Sequence, residues 1–285
     1  ASAEQPQFPA RVRRLLFIPV VWMLPSPRQF ENLLWGFQIT FVSAAFFAVA
    51  CLWTLSRLCA GSGMRTRAWL LLAAGTLATL ASFSSVMGLI VWWVGLALLS
   101  TCRGRRWPWM ISWGCAAVAV WLVYFHGYVK PPQHPELAPL LRRPFAFVYF
   151  FLATVGAPAA PIPPLAALCG LLICGYIAFR MWRAIRSGRH ASGVFWIAVA
   201  LFGFCTALSI TIGRSGFGIL QSTPSRYITF TLLSTISCYV LLVGDAIRLW
   251  RRRPRTYSLA PALLAAGLFA ATLLVLAASW IFLRR

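Results

Sequence analysis

Acidic side chains are nearly absent from this sequence of 285 residues. Glu4, Glu31, Glu136 and Asp245 are the only four, against 26 lysines and arginines, which gives a formal net charge of +22. Between the ends of its long apolar runs the chain carries no charged residue and no histidine. Ion-coupled transporters and proton pumps normally need such groups near the membrane midplane, so transport by a charge relay is disfavoured. Transport of a neutral or amphipathic solute stays open.

Lysine and asparagine are also scarce, since Lys130 and Asn32 are the only examples. The preference for Arg, Ala, Gly and Pro, which have GC-rich codons, indicates a GC-rich genome that we expect to be bacterial. The arginines fall in short clusters between apolar runs, which is how membrane topology is set. A nucleic-acid groove would need a continuous basic face on a soluble domain, and the pattern predicts none.

Long apolar runs dominate the remaining composition, which is 60% hydrophobic. A membrane-spanning helix needs about 20 apolar residues, so the pattern predicts an all-α, polytopic membrane protein with about eight full spans. Residues 15–24 and 145–155 are too short to cross and are predicted to be partial, re-entrant or interfacial helices. The predicted full spans are residues 37–55, 69–81, 86–99, 110–125, 165–182, 194–211, 228–247 and 260–283.

The arginine clusters predict the orientation of these spans, because basic loops favour the cytoplasmic side. Segments 26–36, 82–85, 126–144 and 213–226 then face outward, and 126–144 is the longest outer loop. We expect a single helical domain over residues 1–285, in a bacterial inner membrane. The chain begins with a polar stretch and no signal peptide, so we expect it to be the C-terminal portion of a longer protein. The four clusters lie at residues 57–67, 103–106, 180–189 and 248–255.

The eight cysteines lie in or beside apolar runs, where they are typical small core residues. We therefore predict no disulfide, no metal site and no cofactor. His126, His134 and Glu136 have a spacing that metal ligands can adopt, but no rigid helix presents them. Asp245 lies one turn before Arg248, which predicts a local pair at a helix end.

The segment from Ser26 to Gln38, S-P-R-Q-F-E-N-L-L-W-G-F-Q, joins an acid, amides and aromatics to the start of an apolar run. Ser26 followed by proline, with Gln29 three residues after it, predicts a capped helix start. At 3.6 residues per turn, Glu31, Trp35 and Gln38 would share one stripe of that helix. We place all three in the candidate site.

A second outward helix start is predicted at T-P-S-R, residues 223–226. Free N–H groups at a helix start carry about half a positive charge and bind phosphate oxygens. Arg28 and Arg226 lie in the first turns of the two starts, and Arg214 lies in the turn G-R-S-G-F-G. These arginines are candidates for binding a lipid phosphate or pyrophosphate. The alternative is that they only reach phospholipid head groups at the membrane surface.

Glu31 and Glu136 are the two candidate general bases on the outer side. For Glu31 the alternative is a structural role, as a partner of Arg28 or of the helix dipole. Glu136 lies in a proline-rich loop and can simply be solvated. Trp35 and Tyr227 are candidates for stacking on a sugar, although aromatic residues also form belts at membrane interfaces.

The motifs F-E-N-L-L-W-G-F-Q and G-R-S-G-F-G…P-S-R-Y resemble those of bacterial multi-spanning proteins whose layout is that of the C-type (GT-C) membrane glycosyltransferases. The resemblance implies sugar transfer from a polyprenyl-phosphate donor at the periplasmic face. It implies that Arg214 and Arg226 hold the lipid phosphate. In that superfamily the catalytic acid usually lies in the first outer loop after the first span, and this sequence begins too late to show that loop. Either the N-terminal part is missing, or the chemistry falls to Glu31, or the chain is not an active enzyme. Our first hypothesis takes Glu31 as the base, with Trp35 and Tyr227 lining the sugar. The alternatives are a non-enzymatic protein that binds or translocates a lipid carrier, and a structural membrane subunit.

Overall fold

The computed structural model describes residues 16–61, 63–102, 106–129, 143–187 and 193–252. Every regular element within these residues is a helix, which confirms the all-α prediction. Short 3-10 turns precede or follow several of the α-helices. The α-helices are α1 (Ile18–Met23), α2 (Phe30–Leu34), α3 (Ile39–Cys59), α4 (Met64–Ser84), α5 (Ile90–Ser100), α6 (Trp107–Phe125), α7 (Pro144–Gly156), α8 (Pro163–Ser187), α9 (Val194–Arg214) and α10 (Ser225–Arg252).

Helices long and apolar enough to cross a membrane number six in the described parts of the chain. The protein is therefore a multi-pass membrane protein. The crossing segments are Gly36–Cys59, Met64–Ser84, Trp107–Phe125, Pro163–Arg186, Val194–Phe217 and Ser225–Arg248.

The predicted number of eight spans is not reached within the described residues. The segment Val86–Ser100 is a shorter apolar helix of about 20 Å, less than the ~30 Å apolar core of a bilayer. Pro144–Gly156 is short, as predicted. The predicted span 260–283 lies outside the described residues, as does most of the predicted outer loop 126–144.

Helices α3 to α6 share one core with the middle of α9. Trp92 and Trp113 are buried there, with ring centroids 4.5 Å apart. The indole N–H of Trp113 donates to the carbonyl of Trp92 at 2.8 Å, and that of Trp92 donates to Ser82 Oγ at 3.0 Å. These bonds link α4, α5 and α6, and they satisfy two buried indole N–H groups, which usually find a hydrogen-bond partner.

Helices α7 and α8 cross closely at two glycines. A Cβ atom on Gly156 would collide with the carbonyl of Ala166, and one on Gly170 would collide with the carbonyl of Leu152. Small residues allow helix backbones to approach closely in membrane proteins, where van der Waals packing drives association. The turn between these helices reaches the candidate site described below.

The bundle has two chemically different ends. Phe41 and Phe230, near the starts of α3 and α10, are in edge contact at 5.8 Å, so these two helices begin side by side. We call this end, with residues 26–38 and 213–229, the docking end. The opposite end, where α3, α5, α8 and α10 finish, carries the described part of the arginine clusters, and we call it the arginine-rich end.

A disulfide bond at the arginine-rich end overturns the prediction of no disulfides. Cys59, the last residue of α3, is bonded to Cys102, two residues after α5, with their Cα atoms 4.6 Å apart. The pairing was not predictable from spacing, because it depends on how α3 packs against α5. The other cysteines, Cys51, Cys115, Cys169, Cys174, Cys205 and Cys238, are free.

Candidate functional site

The segment from Ser26 to Gln38 is not the single helix that its sequence predicts. A 3-10 turn and the short α2 are followed by Trp35 in an extended conformation, and a second 3-10 turn then leads into α3. Trp35 is 51% exposed while Gln38 is 2% exposed, so the predicted stripe of Glu31, Trp35 and Gln38 is wrong. The extended residue, followed by the poor helix former Gly36, rotates the chain between the two helices.

The predicted capping box is formed only in part. The side chain of Ser26 accepts a hydrogen bond from the backbone N–H of Arg28 at 3.4 Å, so it caps a 3-10 turn. Gln29 does not complete the box, because its side-chain amide donates to the carbonyl of Leu24. Its oxygen instead accepts from the hydroxyl of Thr229 on α10 at 2.7 Å. The side chain of Gln29 therefore connects the segment to α10 and does not cap the helix in which Gln29 lies.

Glu31 caps the N-terminus of α10. Its Oε2 accepts a hydrogen bond from the backbone N–H of Arg226 at 2.9 Å. In return the backbone N–H of Glu31 donates to Ser225 Oγ at 3.0 Å. A carboxylate at this position satisfies a free N–H and interacts favourably with the helix dipole. The predicted helix start at residues 223–226 is confirmed to within two residues, but its cap comes from a distant segment.

Asn32 is a site residue that the sequence reasoning missed. Its amide donates both to the carbonyl of Arg226 at 2.9 Å and to Thr229 Oγ at 2.7 Å, and the side chain is buried. Asn32 is the only asparagine in the chain and follows Glu31 directly. That rarity was the one available signal. Together with Gln29, Glu31, Ser225 and Thr229, it forms a polar contact that we call the capping network.

Arg28 is directed into the protein rather than into open space. It is only 6% exposed, and its guanidinium donates to the carbonyl of Ala157, in the turn between α7 and α8, at 3.2 Å. Burial lowers its pKa from the ordinary value for arginine, but arginine stays protonated well above neutral pH. Arg28 therefore keeps a buried positive charge at the docking end.

Arg214 and Arg226 end α9 and begin α10, so the turns between these helices hold both at the docking end. The guanidinium carbon of Arg214 lies 5.6 Å from the centroid of the Phe217 ring, and that of Arg226 lies 5.4 Å from the Tyr227 ring. In the described parts of the chain neither arginine makes an ion pair. Their charges are therefore not neutralised by any described carboxylate.

The two predicted sugar-stacking aromatics have different surroundings. Tyr227 is 8% exposed and packs with Phe150 and Ile210 in a small core. Trp35 is exposed, and its ring lies 6.1 Å from that of Phe37. Trp35 is thus accessible to a ligand, whereas Tyr227 is mainly a packing residue at the start of α10, next to Arg226.

Buried polar atoms without a hydrogen-bond partner are concentrated at the docking end. Most buried polar atoms in proteins are paired, so each exception needs an explanation such as a water or an ion. Of the ten such side-chain atoms in the described residues, six belong to this end. They are Arg28 Nε, Asn32 Oδ1, Gln38 Oε1, Ser215 Oγ, Ser222 Oγ and Arg226 Nε.

Two apolar cavities lie away from these residues. One of about 790 Å³ is lined by α5 and α6, including Trp93, Trp121 and His126, and one of about 430 Å³ lies between α4 and α6. Neither is lined by Glu31, Arg214 or Arg226. The candidate base Glu136 and the candidate metal ligand His134 lie outside the described residues.

Asp245, at the arginine-rich end, has a partner that its sequence neighbourhood did not predict. Its carboxylate lies 2.6 Å from the guanidinium of Arg180 on α8, and it accepts from the hydroxyl of Tyr176 at 2.9 Å. The predicted partner Arg248 is farther away, at 3.7 Å. The main contact therefore joins two helices, and the local pair is secondary.

No family model, no curated protein and no solved structure matches this chain. The arginines and the unpaired polar atoms of the docking end are therefore the basis for a function.

Proposed function

We propose that the docking end binds the phosphate group of an anionic lipid, with Arg214 and Arg226 as its main ligands. The supporting observation is the group of buried, unpaired polar atoms there, which includes the Nε atoms of Arg28 and Arg226. Three arginines and a single described carboxylate share this end, and that carboxylate is bonded to a backbone N–H. A phosphate supplies both the negative charge and the acceptor atoms that these groups lack.

Contact with an aromatic ring does not by itself distinguish these two arginines. At the arginine-rich end, Arg57 lies over Trp53 and Arg186 over Trp182 at similar distances. Such contacts are typical of arginines that reach toward any membrane surface. What supports a specific site is the combination of unpaired guanidinium nitrogen and unpaired hydroxyls at the docking end.

The lipid that we propose is a polyprenyl-phosphate-linked sugar, in a bacterial inner membrane, from which the sugar is transferred at the periplasmic face. This step rests on the resemblance of the two motifs to the GT-C superfamily. An acceptor hydroxyl would attack the anomeric carbon, the polyprenyl phosphate would leave with the electrons of the broken C–O bond, and Glu31 would take the hydroxyl proton. Trp35 is the exposed aromatic available to the sugar.

A non-enzymatic lipid-carrier-binding protein is the second candidate. The bond from the Arg226 N–H to Glu31 Oε2 favours it, because this carboxylate already has a structural role as the cap of α10. In that case the phosphate site is the same and no group is transferred. The two candidates therefore differ in whether a sugar is transferred, with Glu31 taking the proton of the acceptor hydroxyl.

The first experiment measures binding of a polyprenyl phosphate to the purified protein in lipid nanodiscs. The double variant Arg214→Ala/Arg226→Ala should lose about tenfold or more in affinity, the equivalent of one good charge-assisted contact. Arg57→Ala is the matched control, since it removes an arginine that lies over an aromatic ring at the opposite end. Equal affinities of the folded double variant and the wild type would contradict the phosphate site.

The second experiment separates the two candidates with Glu31→Gln. The amide oxygen of Gln can still accept from the Arg226 N–H, so the cap and lipid binding should persist, but it is not a base. Loss of sugar transfer with unchanged lipid binding would support the transferase. Transfer at the wild-type rate would exclude Glu31 as the base.

A further inference from the structure

The bond between Cys59 and Cys102 joins the ends of two membrane helices at the arginine-rich end. It closes a sequence separation of 43 residues that contains all of α4 and α5. Cys102 is buried and Cys59 is partly exposed, so water-soluble reagents have better access to Cys59. All eight cysteines of the chain are described, and this is the one bonded pair among them.

The arginines that flank Cys59 and Cys102 in sequence predict that the pair lies in a reducing compartment. Arg57 lies two residues before Cys59, Arg65 and Arg67 follow it, and Arg106 lies just after Cys102. Loops rich in arginine next to membrane helices favour the cytoplasmic side. Permanent disulfides are rare there because cellular thiols keep cysteines reduced, and the pairs that do form are mostly transient or redox-sensing.

We propose that Cys59 and Cys102 form a reversible dithiol–disulfide site that exchanges with a small-molecule disulfide such as glutathione disulfide. The thiolate of Cys59 attacks one sulfur of glutathione disulfide, and one glutathione thiolate leaves. The thiolate of Cys102 then attacks the sulfur of Cys59 in the mixed disulfide, and the second glutathione leaves. The protein loses two electrons and two thiol protons, and glutathione disulfide is reduced to two glutathione molecules.

The positions of the two cysteines suit these roles. Nearby positive charge favours the thiolate form of cysteine, and access decides which thiol reacts first. Cys59 is the more accessible thiol of the two and follows Arg57 closely in sequence, whereas the buried Cys102 is placed to attack the mixed disulfide formed on Cys59. The oxidised form ties the end of α3 to the end of α5 by a covalent bond, which the reduced form lacks.

The experiment titrates the purified full chain with glutathione and glutathione disulfide, followed by acid quenching, alkylation and peptide mass spectrometry. Across a roughly hundredfold change in the ratio of the glutathione disulfide concentration to the squared glutathione concentration, the bonded fraction of the pair should rise from about a tenth to about nine-tenths. Alkylation in living cells should find both thiols free. Cys115→Ser, which removes a free cysteine in the membrane-crossing helix α6, should leave the titration unchanged, whereas Cys59→Ser should abolish it.

Two results of the titration would overturn the proposal. A bond already formed in cells that persists under the most reducing mixture would be a permanent structural disulfide. Thiols of Cys59 and Cys102 that stay free under the most oxidising mixture would show that the pair does not exchange.

The compartment is tested separately with a membrane-impermeant maleimide on a variant whose only cysteine is Cys59. Labelling in inverted inner-membrane vesicles but not in right-side-out vesicles is the expected result. Labelling in right-side-out vesicles would place the pair in the oxidising compartment and overturn the proposal.

Discussion

The two acids in the described residues stabilise opposite ends of the bundle in different ways. At the docking end, Glu31 accepts a hydrogen bond from the backbone N–H of Arg226. At the arginine-rich end, Asp245 forms a 2.6 Å ion pair with the guanidinium of Arg180 and also binds the hydroxyl of Tyr176. One carboxylate thus satisfies a helix terminus, and the other neutralises a buried side chain.

This difference decides which guanidinium groups have a described carboxylate as their partner. Arg180 is 5% exposed, and its pairing with Asp245 offsets the cost of burying its charge. At the docking end the carboxylate is bonded to the backbone, so the guanidinium groups of Arg214 and Arg226 keep their charge uncompensated by the described residues. The arginine-rich end keeps other arginines that form no ion pair in the described residues, such as Arg57 and Arg186. The partner of each carboxylate therefore determines which arginine is neutralised at each end.

The largest loss of stability should come from Asp245→Asn, which breaks the ion pair with Arg180 at the arginine-rich end. The amide still accepts from Tyr176, but it leaves the buried charge of Arg180 uncompensated. We expect a loss of about 3 kcal/mol in the free energy of unfolding, the usual cost of breaking a buried pair. The thermal unfolding midpoint in one detergent, compared with that of the wild type, measures it.

The double variant Arg180→Met/Asp245→Leu is the control for this prediction. It removes both charges and replaces them with apolar side chains of similar size, so most of the lost stability should return. A double variant that is as unstable as Asp245→Asn would show that packing, and not charge pairing, is responsible.

A smaller effect should come from Asn32→Ala in the capping network. The change removes two hydrogen bonds to α10, each worth about 1 kcal/mol, so we expect a loss of about 2 kcal/mol. Thermal unfolding measures it, with Gln38→Leu as the matched control. The amide oxygen of Gln38 is buried without a partner in the described structure, so its replacement should change stability much less. Equal losses in the two variants would contradict the role of the Asn32 bonds.

The smallest effect should come from Glu31→Ala. Loss of an N-cap typically costs about 1 kcal/mol, and the cap of α10 is a single described bond. Hydrogen exchange at the Arg226 amide should report the lost protection directly. Glu31→Gln should retain most of that protection. An amide of Arg226 that exchanges equally slowly in Glu31→Ala and in the wild type would mean that Glu31 does not cap α10.

The helical class and most of the helix positions could be predicted because each helix satisfies its backbone hydrogen bonds within itself. The break at Trp35 was not predicted, because the expected stripe of Glu31, Trp35 and Gln38 required one continuous helix through residues 26–38. The start of α10 was predictable from its T-P-S-R pattern. Its cap was not, because Glu31 is 195 residues away from Arg226 in sequence.

By itself the sequence determined that this is a multi-pass helical membrane protein with little acid, and it indicated which segments hold the candidate arginines. Those properties follow from local composition, since apolar length and hydrogen bonding within a helix act over a few residues. Only the tertiary structure decided that Arg180 pairs with Asp245, that Cys59 bonds to Cys102 and that Asn32 binds α10. These contacts depend on the rotation and packing of helices that are distant in sequence, which no local pattern encodes.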